Sequence, residues 1–112
     1  MNQRYHWSIF YQGLCQHAPD LLVGIDEDLR EVIKEISRTT DMFWSENLEE
    51  FLSEGAAAYS LREGVLLALD QWRMNVIDQL DASFGIALDV DQVSIEADSP
   101  MIAVLVAAAS PG

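Results

Sequence analysis

Hydrophobic side chains recur at the helical period in two long stretches of this chain. Over residues 26–38 they fall on one helix face, with acidic residues at the start and basic residues toward the end, as the helix dipole favours. Residues 60–84 carry a wider apolar stripe, which opens on Ser60 and Glu63 at the spacing of a capping box. Gly85 follows this stripe and predicts a left-handed cap. Each stretch is therefore predicted to be a helix, the second being the central one.

A further helix is predicted over residues 41–54, with Thr40 as its cap and Gly55 as its stop. The apolar stripe of this helix consists of Trp44, Leu48, Phe51 and Leu52. Acidic residues occupy its other side. In contrast to the helix over residues 26–38, whose acids have basic neighbours three positions away, this helix has no local positive partners.

Strands are predicted at both ends of the chain. In an extended chain, residues 5–12 would place Tyr5, Trp7, Ile9 and Tyr11 on one side and the residues between them on the other. This alternation, with aromatic and β-branched side chains, is typical of a strand. Residues 86–90 and 93–97 also alternate, in phases that differ by one position, which indicates a bulge or a turn between them. Residues 101–107 are continuously apolar, as in a strand buried on both faces. Residues 14–24 are ambiguous, with Pro19 in place to open a short helical turn.

These elements predict an α+β fold in the order β-α-α-α-β-β, with a three-helix layer packed on a small, mainly antiparallel sheet. The 112 residues correspond to a single domain, and half of them are apolar, which is enough for one core. No linker rich in Pro, Gly or Ser divides the chain. We therefore predict one acidic domain spanning residues 1–112.

The charge balance narrows the range of partners. The chain has 19 Asp and Glu against 6 Lys and Arg, a net charge of −13, and no positive side chain follows Arg73. Bare nucleic acid and anionic lipid would be repelled, because their binding depends on Lys and Arg. The preferred partner is therefore a protein with a basic surface, and no direct contact with nucleic acid or membrane is expected.

Cysteine content and apolar run lengths predict the compartment. Cys15 is the only cysteine, so no internal disulfide can form and a reducing compartment is the default. The N-terminus lacks the pattern of a signal peptide, and the longest apolar run, residues 101–109, is well short of the ~20 residues that span a bilayer. These features predict a cytoplasmic protein.

The helix over residues 41–54 carries the candidate binding surface. Between Arg38 and Arg62 no residue is positive, so the carboxylates of this helix repel one another by a few tenths of a kcal/mol per i,i+4 pair. Either this is an ordinary solvated face, or it binds Lys and Arg clusters on a partner. On the second interpretation the partner-binding residues are Asp41, Glu46, Glu49, Glu50 and Glu54.

Residues 43–51, Phe-Trp-Ser-Glu-Asn-Leu-Glu-Glu-Phe, resemble the acidic helix by which barstar-type inhibitors occupy a nuclease. The resemblance implies a mechanism in which carboxylates take the place of phosphates. Carboxylates four residues apart on a helix are separated by ~6 Å along its axis, close to the phosphate spacing of one nucleic-acid strand. The resemblance is one of mechanism and not of family, since the predicted sheet order differs.

No catalytic, metal or cofactor motif is found in the sequence. Cys15 and His17 lack the further ligands of a zinc site, and we interpret them as a small core residue and a loop residue. The acidic runs at residues 26–28 and 89–91 could attract Ca²⁺ or Mg²⁺, but neither fits a calcium loop. They are interpreted as a helix start and a solvated strand edge. The protein is therefore expected not to be an enzyme and to need no cofactor.

Two functions are compatible with these observations. The first is a small inhibitor that blocks a basic, nucleic-acid-handling enzyme or complex, either as a phage counter-defence protein (anti-CRISPR or antirestriction) or as an immunity protein for a nuclease toxin. The alternative is a structural subunit of a phage or secretion machine, in which the N-terminal aromatic residues and the apolar tail join a sheet in a neighbouring copy. Oligomeric state separates the two, because only the second requires self-association.

Overall fold

The computed structural model describes residues 5–39 and 41–110, and for residues 39 and 41–47 the backbone alone. This part of the chain is mostly helical, with five α-helices and a small two-stranded antiparallel sheet, which is consistent with the α+β class. The helices are α1 (Trp7–His17), α2 (Glu27–Thr39), α3 (Asp41–Ala58), α4 (Leu61–Gln79) and α5 (Pro100–Ala109). The strands are β1 (Leu22–Val23) and β2 (Ser94–Ile95). The observed order is therefore α-β-α-α-α-β-α, not the predicted β-α-α-α-β-β.

All five helices contribute to one core. Its fully buried side chains include Phe10 of α1, Ile33 of α2, Leu52 of α3, Trp72 of α4 and Leu105 of α5. Helices α3 and α4 form an antiparallel hairpin, and α5 packs against both α1 and α4. The helices therefore make the body of the molecule, whereas the predicted layer of helices on a sheet does not form.

The predicted strand over residues 5–12 is wrong, because most of this segment is in α1. Phe10, Leu14 and Ala18 are buried at a spacing of four residues, which is the spacing of a helix face. The alternation of aromatic residues was misleading because it covered only eight positions and both of its phases contained aromatic side chains. After α1, Pro19 lies in a short 3₁₀ turn, Ala18–Leu21, which resolves the ambiguous segment.

The predicted strand over residues 101–107 is also wrong, because these residues belong to α5. The Ser99 hydroxyl accepts a hydrogen bond from the backbone N–H of Met101 at 3.3 Å, and Pro100 occupies the first turn, where its missing N–H costs nothing. Ile102, Leu105 and Ala109 are buried at helical spacing. A continuously apolar run is compatible with helix or strand, and the cap determines the helix here.

The remaining tail contains one short strand. Residues 86–89 are not in a strand, and a 3₁₀ turn, Val90–Gln92, stands where a bulge or a turn was predicted. The strand expected over residues 93–97 shrinks to β2, which pairs with β1 in the register Leu22↔Ile95 and Val23↔Ser94. The structural-subunit alternative assumed that the two ends of the chain are strands that join a sheet in a neighbouring copy. Both ends are instead helices, α1 and α5.

The three helices predicted from periodicity are present. Asp26 caps α2, since its Oδ1 atom accepts from the backbone N–H of Leu29 at 2.9 Å. Ser60 caps α4 by accepting from the backbone N–H of Glu63 at 3.2 Å. One π-helical turn, Leu80–Phe84, extends α4 to Gly85, whose φ of 67° confirms the left-handed cap.

The predicted end of α3 is wrong. The helix continues through Gly55 to Ala58, and the cap predicted at Thr40 lies outside the described residues. Gly55 serves a packing role, because a Cβ atom built on it would lie 2.2 Å from the Cα atom of Gly64. The two glycines therefore allow the backbones of α3 and α4 to approach closely.

Candidate functional site: an acidic face on the third helix

The exposed side of α3 carries the carboxylates of Glu49, Glu50 and Glu54, here called the acidic face. All three side chains are exposed, whereas Leu48 and Leu52 on the other side of the helix are buried in the core. The amphipathic pattern thus positions the acidic face, because burial of the leucine stripe fixes which side meets solvent. The predicted site residues Asp41 and Glu46 belong to α3, but their side chains lie outside the described residues.

Helix α1 is attached to one edge of the acidic face. The indole N–H of Trp7 donates a hydrogen bond to Oε2 of Glu49 at 3.0 Å. The hydroxyl of Tyr5 donates to the backbone carbonyl of Leu52 at 3.4 Å, one turn further along α3. These contacts hold the carboxylate of Glu49 at a defined place beside the half-buried indole. The role of Trp7 could not be found from the sequence, because the two residues are 42 positions apart.

Three arginines hold loops in place by donating hydrogen bonds to backbone carbonyls. Arg30 donates to the carbonyl of Pro19 at 2.6 Å, Arg62 to the carbonyl of Ala97 at 2.6 Å, and Arg73 to the carbonyl of Val93 at 2.9 Å. Arg30 and Arg73 also pair with Asp20 and Asp70. Within the described ranges, none of these guanidinium groups forms a salt bridge with Glu49, Glu50 or Glu54.

Acidic side chains of α2 form salt bridges with basic residues of the same helix, in contrast to the acidic face of α3. Lys34 pairs with Glu31 and Arg38 with Glu35, each at 3.5 Å and three residues apart, as predicted. Arg30 pairs with Asp20 and not with the predicted Glu27. In the part of the chain that the structure describes, no salt bridge includes Glu49, Glu50 or Glu54. Among the described residues, the acidic face therefore presents negative charge to solvent without a salt-bridge partner.

The position of Glu54 is also unfavourable for the stability of α3. It lies near the carboxyl end of α3, where the helix dipole is unfavourable to negative charge, and the last turn of α3 contains no basic residue. Glu50 precedes it by one turn, so the two carboxylates repel each other. Folding alone does not explain why both residues are acidic.

A second acidic surface lies where α4 ends. Asp78, Asp81 and Asp89 line a cleft of about 350 Å³ together with the apolar side chains of Ile77 and Leu88. No local sequence pattern indicates this grouping, because Asp89 joins it only through the turn at Gly85 and the loop that follows. The cleft adds to the negative surface of the molecule.

Cys15 and His17 do not form a catalytic pair. They are two residues apart on α1, which places them on different sides of the helix. The Sγ atom of Cys15 donates to the carbonyl of Ser37 at 3.7 Å and lines a cleft of about 410 Å³ with Tyr11, Lys34 and Arg38 among its neighbours. His17 is the last residue of α1 and not a loop residue.

The two acidic runs examined as metal sites have structural roles. Asp26 caps α2, and Asp89 forms a capping box with Gln92, whose side-chain oxygen accepts from the Asp89 backbone N–H at 2.8 Å. Asp89 thus opens a 3₁₀ turn and not the predicted strand edge. Among the described residues, no three Asp, Glu, His or Cys side chains are grouped closely enough to hold a metal ion. Nor does any helix in the described ranges reach the length and apolar character needed to cross a membrane.

Comparison with known proteins yields no relative: no family model, no curated protein and no solved structure matches the chain. The acidic face therefore has to be interpreted from its own geometry and charge.

Proposed function

We propose that the protein is a cytoplasmic inhibitor that binds a basic surface on a nucleic-acid-handling enzyme or complex. The observation that carries this proposal is the acidic face, whose three exposed carboxylates form no salt bridge among the described residues. Two settings suit such an inhibitor. One is phage counter-defence against a CRISPR or restriction system, and the other is immunity to a nuclease toxin.

The mechanism is electrostatic and steric. Glu50 and Glu54 are one helical turn apart, a rise of ~6 Å, which is close to the through-space distance between successive phosphates along one strand. A groove that binds a nucleic-acid backbone through Lys and Arg can therefore accept α3 in its place. Once α3 is bound, the body of the domain blocks the groove.

Long-range charge accelerates the encounter. The net charge of −13 attracts a positively charged groove before contact, which raises the association rate constant and makes it fall as salt increases. On this proposal Asp41 and Glu46 extend the same surface toward the start of α3. Glu49 contributes a carboxylate whose position is fixed by the indole of Trp7.

The proposal is tested by capture from bacterial lysate. The tagged protein is immobilised, the lysate is treated with nuclease, bound proteins are eluted with rising salt, and the fractions are identified by mass spectrometry. Elution of a nucleic-acid enzyme at moderate salt is the expected result. Recovery of the bait alone from lysates of several bacterial hosts would contradict the proposal.

A captured enzyme is then purified and assayed with the free protein present. The expected result is inhibition that is competitive with nucleic acid, because both ligands occupy the same groove. Binding without any loss of enzyme activity would overturn the inhibitory role while leaving the acidic face as a binding surface.

A further inference from the structure

Charge is distributed unevenly over the helices. Neither α1 (Trp7–His17) nor α5 (Pro100–Ala109) contains a single Asp, Glu, Lys or Arg. Every formally charged side chain of the chain lies outside these two helices. Protein surfaces ordinarily intersperse both signs of charge, so two neutral helices in a strongly acidic chain need a physical explanation.

The two neutral helices pack against each other. Gly13 of α1 lies under Leu105 of α5, so that a Cβ atom on Gly13 would be 3.1 Å from a methyl group of that leucine. Ile9 is one turn before Gly13 on α1, and Val104 directly precedes Leu105 on α5. Ile9 is 54% exposed and Val104 46% exposed.

The exposed positions of these helices are all uncharged, and several are small or apolar. On α1 and α5 they are Ser8, Ile9, Gln12, Gln16, Pro100, Ala103, Val104 and Ala107. We call this surface the neutral face. It has no carboxylate to offer a basic partner, so it cannot serve the electrostatic binding assigned to α3.

We propose that the neutral face docks against the neutral face of a second copy of this chain. Two molecules that each carry −13 repel each other wherever their charged surfaces meet. Facing neutral surfaces avoid close contact between like charges, and a two-fold axis places the same patch of both molecules in contact. Burial of Ile9 and Val104 supplies the hydrophobic gain.

The neutral face is small for a protein–protein interface. Two helices ~15 Å long and ~10 Å apart present on the order of 300 Å² per copy, below the ~800 Å² per partner of a standard stable interface. A contact of this size belongs with weak, transient interfaces, and we expect a dissociation constant on the order of 10 µM to 1 mM. The dimer is therefore expected to form at high protein concentration and to dissociate on dilution.

This inference does not rest on the proposed inhibitory function. A weak dimer between helices also differs from the strand-mediated assembly of the structural-subunit alternative, so it does not favour that alternative over inhibition. The dimer and the capture of a basic partner respond to salt in opposite directions. Raising salt from ~0.1 M to ~1 M shortens the Debye length from about 10 Å to 3 Å. Screening removes the repulsion between two acidic copies and so strengthens the dimer. The same screening weakens capture of a basic partner by the acidic face.

Sedimentation equilibrium over a range of protein concentrations, at both salt concentrations, tests the inference. The wild-type protein is expected to show a monomer–dimer equilibrium that shifts toward dimer at high salt. The variants Val104→Glu and Ile9→Glu should each weaken the dimer at least tenfold, since two-fold symmetry brings each new carboxylate close to its counterpart. Met74→Glu is the matched control, because Met74 is 42% exposed on α4 and the substitution adds the same charge elsewhere.

Circular dichroism verifies that each variant is folded, and Val104→Ser replaces Val104→Glu if the latter does not fold. A wild-type protein that stays monomeric up to ~1 mM at high salt would overturn the inference. So would a dimer that all three glutamate variants weaken equally, or one that only Met74→Glu disrupts. Loss of the dimer has no bearing on capture of a basic enzyme, so failure of either proposal can be recognised separately.

Discussion

The indole N–H of Trp7 lies 3.0 Å from Oε2 of Glu49 and donates a hydrogen bond to it. This bond joins the first turn of α1 to the acidic face of α3. Because the indole is half-buried and packs edge-on against Phe10, with ring centroids 6.1 Å apart, it provides a rigid donor. One carboxylate of the proposed binding surface is thus held in place before any partner arrives.

Removing this hydrogen bond should have a small, measurable effect on stability. Trp7→Phe deletes the donor and keeps an aromatic ring, and Glu49→Ala removes the acceptor. In a double-mutant cycle by urea denaturation the coupling free energy is expected to be about 0.5–1 kcal/mol, at the low end for a net hydrogen bond because the contact is exposed to solvent. Additive effects of the two substitutions would show that the bond contributes nothing in solution.

Glu54→Gln should stabilise the fold. The substitution removes a negative charge near the carboxyl end of α3 and the repulsion with Glu50, for an expected gain of about 0.3–0.8 kcal/mol at low salt. Glu63→Gln is the matched control with the opposite sign, because Glu63 lies in the first turn of α4, where the dipole favours an acid. If Glu54→Gln destabilised the protein as Glu63→Gln does, the carboxylate of Glu54 would have a structural role.

Ser37→Ala should lower the free energy of unfolding by more than is usual for the loss of one hydroxyl group. The buried hydroxyl of Ser37 accepts from the indole N–H of Trp72 at 3.2 Å and donates to the carbonyl of Ile33 at 3.0 Å. Without it the fully buried indole of Trp72 has no acceptor there, and the free energy of unfolding should fall by about 1–3 kcal/mol. Ser53→Ala, at an exposed position of α3, should change it by less than about 0.5 kcal/mol.

Two glycine-to-alanine substitutions distinguish the effect of close helix packing on stability from the effect of helix propensity. In Gly55→Ala the new methyl group overlaps the backbone of Gly64 at 2.2 Å, so α3 and α4 must move apart, with a loss of about 2 kcal/mol or more. In Gly13→Ala the nearest atom, 3.1 Å away, is a methyl group of Leu105 that can shift. The propensity gain of about 1 kcal/mol should then leave that variant near wild-type stability. Equal thermal shifts in the two variants would contradict the close approach of α3 and α4.

The parts of the fold that could be predicted are those with long periodic patterns. Helix α2 and helix α4 extend over many turns, and their caps at Asp26, Ser60 and Gly85 obey local rules. The two terminal helices were mistaken for strands because short aromatic or apolar runs have no unique period. The full burial of Phe10 and Leu105 in the core is tertiary information. For α5 a local signal also existed, the cap formed by Ser99 and Pro100.

The site was predictable to a similar extent. The acidic spacing of Glu50 and Glu54 is a property of one helix and can be read directly from the sequence. The contribution of Trp7 and the cleft lined by Asp78 and Asp89 depend on contacts between separate elements. The use of Arg62 and Arg73 to hold loop carbonyls also has no local signature, although it explains why so few cations remain to offset the acids.

A comparison of two variants with the same net charge distinguishes a specific acidic face from general acidity. One variant carries Glu49→Gln, Glu50→Gln and Glu54→Gln, and the other carries Glu27→Gln, Glu31→Gln and Glu35→Gln on α2. Both remove three negative charges from exposed positions. Capture of the basic enzyme from lysate is measured for each, with circular dichroism to confirm folding. The acidic-face variant should lose capture at a salt concentration where the α2 variant retains it; equal loss in both variants would show that net charge alone, and not the face of α3, binds the partner.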